Sequence, residues 1–237
     1  MMRYLPAATA AVITVFAVLV FQRYRARGGT HLLLWGIGLT MFGIASLAEA
    51  YSTLAWNPAA FRLWYLAGAI LNAAWLGQGT VFLLSRRKRV ARTLFALLVL
   101  GSVLAAWLVF TIPLNAARFT PQETLSAQYR EILPRSALVR RLTPIFNIYG
   151  LMTLVGGALY SAWLLRRKEI VPTRVIGNIL IAAGGLALGF ASTLVRFGLA
   201  DYLYVGELIA AVLMFAGFLL VSTRLPVRAG RPEVLPT

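Results

Sequence analysis

The chain has 237 residues, of which 60% are hydrophobic and only 13% charged, with a mean hydropathy of +0.78. A soluble domain carries about 25% charged residues, so this composition excludes a water-soluble fold and leaves room for one membrane domain. The net charge of +16 sits in short connections rather than on a folded basic face. That excludes a nucleic-acid-binding domain and gives the arginines a simpler use, in fixing orientation and meeting anionic lipid headgroups. With no cysteine in the chain, disulfides, thiol catalysis and thiolate metal sites are excluded too.

Seven apolar stretches are each long enough to cross about 30 Å of hydrocarbon at about 1.5 Å of rise per residue. They run over residues 4–21, 32–51, 61–84, 94–113, 143–165, 175–195 and 202–221. The expected fold is all-α, a polytopic bundle of seven transmembrane helices filling residues 1–224, with a short tail at 225–237. The first stretch leads directly into Arg23, Arg25 and Arg27 without a small-residue cleavage site, so it reads as a retained helix and not as a signal peptide.

The second stretch opens near His31, the only histidine, and closes on Glu49 and Tyr51. The third opens on Arg62, Trp64 and Tyr65, carries Asn72 and Gln78, and is followed by Arg86, Arg87, Lys88, Arg89 and Arg92. The connection after the fifth stretch carries Arg166, Arg167, Lys168 and Arg174, and the tail carries Arg224, Arg228 and Arg231. Together with the three arginines after the first stretch, these segments must share one side. The positive-inside rule makes that side the cytoplasm, with the N-terminus outside and the C-terminus inside a cell (inner or plasma) membrane.

Between the fourth and fifth stretches lies a long outer connection. Thr120-Pro121-Gln122-Glu123 reads there as a capping box with proline at the first helical position. Leu125, Tyr129, Ile132 and Leu133 follow at i, i+4, i+7 and i+8 and Pro134 ends the run, which predicts a short amphipathic helix near 120–133. Its expected place is the outer membrane surface, apolar face down, with a ligand-gating lid as the other reading. Arg130, Arg135, Arg140 and Arg141 stand beside it for outer-leaflet phosphates.

An internal repeat runs through the chain. Gly38, Gly43, Ala45 and Ser46 match Gly184, Gly189, Ala191 and Ser192 at one offset, and Tyr65-Leu66-Ala67-Gly68 resembles Leu203-Tyr204-Val205-Gly206. This suggests two parallel three-helix copies joined by the fourth stretch, a 3+1+3 layout. Gly185 and Gly189, four apart, mark a close helix approach.

Ionisable groups inside a membrane are costly and are the default candidates for a functional site. Here they gather in the outer half: Glu49, Arg62, Arg196, Asp201 and Glu207, the last roughly 8 Å of helix rise below Tyr202. Tyr65, Asn72, Asn147, Tyr149 and Tyr204 belong to the same half, and with the charges they make up a candidate outward-facing ligand pocket. The competing structural reading pairs Arg196 with Asp201 or Glu207 as a clamp on the turn between stretches six and seven, with the aromatics as an interfacial belt. Gln78 and Asn178 read as interhelical glue, and Trp35 and Trp75 as packing. One histidine excludes multi-histidine metal sites and a bis-histidine haem. Lys88 and Lys168 lie outside the spans, which excludes a retinal Schiff base. No cofactor, metal or enzymatic motif is expected.

Ala48-Glu49-Ala50-Tyr51-Ser52 and Phe61-Arg62-Leu63-Trp64-Tyr65-Leu66-Ala67-Gly68 resemble the seven-helix N-terminal sensor module of some bacterial histidine kinases. The resemblance covers stretches two and three and extends to the rest in layout. It implies a sensor or ligand-binding function, although no kinase or cyclase domain follows stretch seven. Output would then pass to a cytoplasmic signalling partner over the basic face. A small-solute transporter and an accessory subunit of a larger membrane complex are the alternatives. Expected partners are membrane lipids and such signalling or complex subunits, and not nucleic acid.

Overall fold

Apolar runs too long for a soluble helix leave the backbone one economical solution in lipid, since only a helix bonds every N–H and C=O within its own segment. The computed structural model describes residues 4–121, 123–168, 172–197, 199 and 202–222, with the backbone alone at Arg196. Eight α-helices are present among them. Seven are long and apolar enough to cross a membrane: α1 (Leu5–Arg27), α2 (Thr30–Ser52), α3 (Pro58–Leu84), α4 (Lys88–Thr111), α6 (Val139–Arg167), α7 (Pro172–Leu194) and α8 (Tyr202–Ser222). The eighth, α5 (Leu125–Ile132), is the short helix of the long connection. The chain is an all-α integral membrane protein.

Several arginines assigned to connections ride instead on helix ends. Helix α1 continues through Arg23, Arg25 and Arg27, and the turn into α2 is only Gly28-Gly29. Both glycines have positive φ (65° and 103°), a region that costs an L side chain about 1–2 kcal/mol. Likewise α4 starts at Lys88, and α6 runs on to Arg167. Long basic side chains on a terminal turn extend their charge out of the apolar layer while their stems cover the helix end.

Six spans form a ring. Helix α1 packs on α2, α2 on α3, α3 on α6, α6 on α7 and α7 on α8, and α8 returns to α1. Helix α4 lies outside this ring against α3 and α6, and Leu97, Leu100, Val103, Trp107 and Phe110 on it are exposed for lipid. The ring's centre is filled by Ile13, Phe16, Leu39, Phe42, Leu76, Leu154, Ala210 and Met214.

The two halves make equivalent contacts. A Cβ on Gly68 would lie 2.6 Å from the Cβ of Ala45, and a Cβ on Gly206 would overlap that of Ala191, the partner of Ala45 in the repeat. A Cβ on Gly38 would lie 2.8 Å from Leu76, and one on Gly184 would lie 2.6 Å from Met214, again equivalent positions. Small residues let membrane helices approach closely, and the same small residues serve the same approach twice. The 3+1+3 layout is visible as geometry: α1–α3 and α6–α8 are the copies and α4 is the linker. The interfaces between halves, α3 on α6 and α8 on α1, are exchanged by the repeat as well.

Helix α3 departs from its counterpart α8. Asn57 caps it, accepting from the N–H groups of Ala59 (2.8 Å) and Ala60 (3.1 Å), with Pro58 at the first position. From Trp64 to Leu71 it then widens into a π-helix. Wide turns of this kind are rare and favour functional sites.

Candidate functional site

At the end of the bundle that carries the α2–α3 and α4–α6 connections, here the crossover end, three inward stripes change character. On α1 the buried stripe reads Thr9, Ile13, Phe16, Ala17, Val20. On α2 it reads Leu39, Phe42, Ser46, Glu49, and on α8 it reads Ala210, Met214, Phe218, with Glu207 half-buried one turn before them. The apolar members fill the ring centre. Their continuations toward the crossover end are Thr9, Ser46, Glu49 and Glu207, so one face of each helix passes from hydrocarbon to oxygen.

Glu49 is the hub of this group and is only 2% exposed. Its Oε1 accepts from the Leu125 N–H at 2.8 Å, and from the Tyr204 hydroxyl in a short hydrogen bond. Leu125 is the first residue of α5, whose N-cap Thr124 accepts from Ala127 N–H at 3.1 Å. The unsatisfied N–H groups and the dipole of a helix N-terminus favour an anion, and here the protein's own carboxylate takes that place. One side chain thus joins α2, α5 and α8. Its other oxygen, Oε2, has no partner among the described residues, nor have the buried hydroxyls of Thr9 and Ser46. Glu207 lies close enough to act electrostatically on both Glu49 and Tyr204.

Helix α5 carries the apolar face read from its spacing, and Leu125, Ile132 and Leu133 are buried on it. Two expectations about it are corrected. The helix begins at Leu125 under a Thr124 cap, not at the Thr120 box. The Gln128 side chain explains why: its amide accepts from Thr120 N–H (2.8 Å) and donates to the carbonyls of Thr120 (3.1 Å) and Glu123 (2.9 Å), folding the approach segment back. Gln122 lies outside the described residues. Secondly, the apolar face is covered by protein and not by lipid. It belongs to one cluster with Ala45, Ala48, Phe61, Trp64 and Tyr65, and Tyr129 packs on Tyr65 with ring centroids 5.9 Å apart. A face already covered by aromatic rings has no apolar surface left to insert among headgroups, so α5 roofs the bundle.

The remaining candidates fall into separate settings. Tyr65 adjoins the roof, and its hydroxyl is 3.1 Å from that of Thr143 on α6. Arg62 turns away from Glu49 and forks onto the last turn of α4, donating to the carbonyls of Val109 and, at 2.9 Å, Ile112. Asn147 donates at 2.9 Å to the Ala69 carbonyl inside the π-helical stretch. Asn72 closes that stretch and accepts from the Ala73 N–H. Tyr149 bonds to Gln78, which in turn donates to the Ala91 carbonyl at 2.9 Å, so Gln78 ties α3, α4 and α6 together. Asp201 and the Arg196 side chain lie outside the described residues, as do the tail and the clamp that would join them. Of the ten candidates, the structure therefore brings together Glu49, Tyr204 and Glu207. It adds Thr9, Ser46 and the Leu125 N–H, none of which the sequence marked as a site group.

Trp35 and Trp75 pack as expected, donating to the Leu76 carbonyl (3.1 Å) and the Ser102 hydroxyl (3.2 Å). Comparison with family models, with curated proteins and with solved structures found no match.

Proposed function

We propose that this chain is a non-enzymatic membrane sensor module in which α5 is a lid, latched shut by Glu49. The observation that supports this most directly is the position of that carboxylate. It is buried at the junction of α2, α8 and the lid, and bonds to two of them at once. Opening the lid removes the Leu125 N–H from Glu49, and an unmet acceptor in a low-dielectric site costs about 1–3 kcal/mol. A ligand that supplies a donor there would offset that cost, so lid position and the packing of α2 against α8 are one equilibrium.

On this reading the crossover end faces outward, the sense that the positive-inside rule favours for the short basic connections at the other end. The basic ends of α1, α4 and α6 then offer the cytoplasmic surface for a signalling partner. The resemblance to kinase sensor modules has the same sense. The repeat by itself equally fits a transporter, but the ring centre is closed by Leu39, Phe42, Leu76, Leu154 and Met214, which opens no polar path across the membrane.

The absence of native cysteine makes the test clean. Ser126 is buried on the lid, so Ser126→Cys is expected to react slowly with a membrane-impermeant maleimide, and about tenfold faster when combined with Glu49→Ala. Spin labels at Ser85 and Lys168, at the opposite end, should report a changed distance in the Glu49→Ala background. A lid that opens without any change at that end would defeat the sensor reading.

A further inference from the structure

Beneath the lid, buried oxygens outnumber the donors offered to them. Glu49 Oε2, Thr9 Oγ1 and Ser46 Oγ are buried and unpartnered among the described residues, and Glu207 is near enough to Glu49 for their charges to interact. Hydroxyls in membrane helices usually bond to the carbonyl one turn back, as those of Thr14, Thr40, Ser52, Ser102, Thr143 and Thr153 do here. Those of Thr9 and Ser46 do not, which keeps their lone pairs free.

The positions converge. Ser46 and Glu49 are three apart on one face of α2. Helices α1 and α2 run antiparallel, and a Cβ on Gly43 would lie 3.6 Å from Ile13, which sets Thr9 level with Ser46. Helices α1 and α8 run parallel, with Phe16 stacked on Phe215 at 5.2 Å, which sets Thr9 within a turn of Glu207. Counted from the helix ends at about 1.5 Å per residue, Glu49, Thr9, Glu207 and Ser46 lie roughly 4 to 9 Å below the crossover surface. Two carboxyls and two free hydroxyls, with no basic side chain bonded to them among the described residues, make a hard-oxygen, net-negative environment at low dielectric.

We propose that these oxygens form a binding site for a single sodium-sized monovalent cation, held by Glu49 Oε2, the Thr9 and Ser46 hydroxyls and the Glu207 carboxyl. Calcium takes six to eight oxygens, more than this set provides. With Oε1 engaged by Leu125 and Tyr204, Glu49 turns its second oxygen to the ion, so the latch and the ion share one carboxylate. The site stands on these unpartnered oxygens and holds whether or not the lid transmits a signal.

The test is the thermal stability of the purified full chain in sodium, potassium or choline chloride at constant ionic strength and pH 8, together with binding of radioactive sodium. Sodium is expected to raise the transition temperature saturably by several degrees, with choline inert and potassium weaker. Glu207→Gln should abolish the sodium dependence, and Ser46→Ala and Thr9→Ala, which each remove one neutral oxygen ligand, should both weaken it; each shift is read against the same variant's own transition in choline. Equal stability of the wild type in all three salts would overturn the proposal. So would a sodium dependence unchanged in Glu207→Gln and Ser46→Ala, or stabilisation that follows acidification alone, which would assign the oxygens to a proton.

Discussion

Arg62 shows how a charged residue is accommodated near the end of a span. The last carbonyls of α4 have no partner within the helix, and the Arg62 guanidinium answers two of them, at Val109 and Ile112. Arg23 does the same for α8, donating to the Ser222 carbonyl at 3.2 Å while lying over the Phe218 ring. Hydrogen bonds from a charged donor contribute about 1.5–3 kcal/mol each when well formed, less where water screens them. Arg62→Ala is therefore expected to destabilise the purified protein by about 1–3 kcal/mol, while Arg62→Lys keeps the charge but loses the planar fork and recovers only part. Unfolding in detergent measures both, and an unchanged Arg62→Ala would mean that the α4 terminus is already satisfied by solvent. The same residue shows what a sequence conveys at this scale. Arg62, Glu49, Glu207 and Asn147 stand out because polar groups are costly in a membrane. Their partners do not, because the carbonyls of Val109, Ile112 and Ala69 and the N–H of Leu125 are present at every position and carry no sequence signal. Grouping the ten candidates into one pocket followed from shared depth alone. Depth does not tell which face of its helix a residue occupies, and Arg62, Asn147 and Tyr149 leave the group for that reason.

Helix pairing is set by where a Cβ is missing. Gly68→Ala would drive a methyl group to 2.6 Å from the Ala45 Cβ, and is expected to cost about 1–3 kcal/mol by overpacking. Ala45→Gly in the same chain removes the obstructing atom, so the double variant should recover most of the loss. The repeat predicts the same cycle for Gly206→Ala with Ala191→Gly. A positive coupling in one half only would mean that the copies do not pack equivalently. Gly150 has no such remedy, since its Cβ would meet the Ala73 carbonyl oxygen at 2.6 Å, which is backbone. Gly150→Ala should therefore separate α3 from α6 and lower the yield of folded protein sharply. By contrast, Gly156 has open space, and Gly156→Ala is expected to stabilise by up to about 1 kcal/mol through helix propensity. A helix's span and its buried face are legible from periodicity, as in α5, but its first residue is decided by competition between caps. Thr120 and Thr124 are both plausible N-caps, and the Gln128 amide, folding back on Thr120, settles it for Thr124. The π-helical stretch of α3 has no periodic signature and is visible only in the structure.

The molecule as a whole has two unlike ends, and the sense of the proposed mechanism depends on which faces the cytoplasm. At one end the terminal turns of α1, α4 and α6 carry Arg25, Arg27, Lys88, Arg89, Arg166 and Arg167. Moving one positive charge outward against a potential of 100 mV costs about 2.3 kcal/mol, and anionic lipid on the inner leaflet adds to the bias. The crossover end holds basic residues too: Arg62 is bound to α4, Arg130 and Arg140 lie over the ring of Tyr129, and Arg118, Arg135 and Arg141 are exposed. The proposed orientation rests on the short basic connections at the other end, which the positive-inside rule keeps in the cytoplasm. Single cysteines decide the matter in a chain that has none of its own. Ala116→Cys, exposed in the long connection, should react with an impermeant maleimide in intact spheroplasts. Ser85→Cys, between α3 and α4, should react only after the membrane is opened. The reverse pattern would put Glu49 and its lid on the cytoplasmic side, where the lid would answer to solutes inside the cell and the basic face would meet the outside.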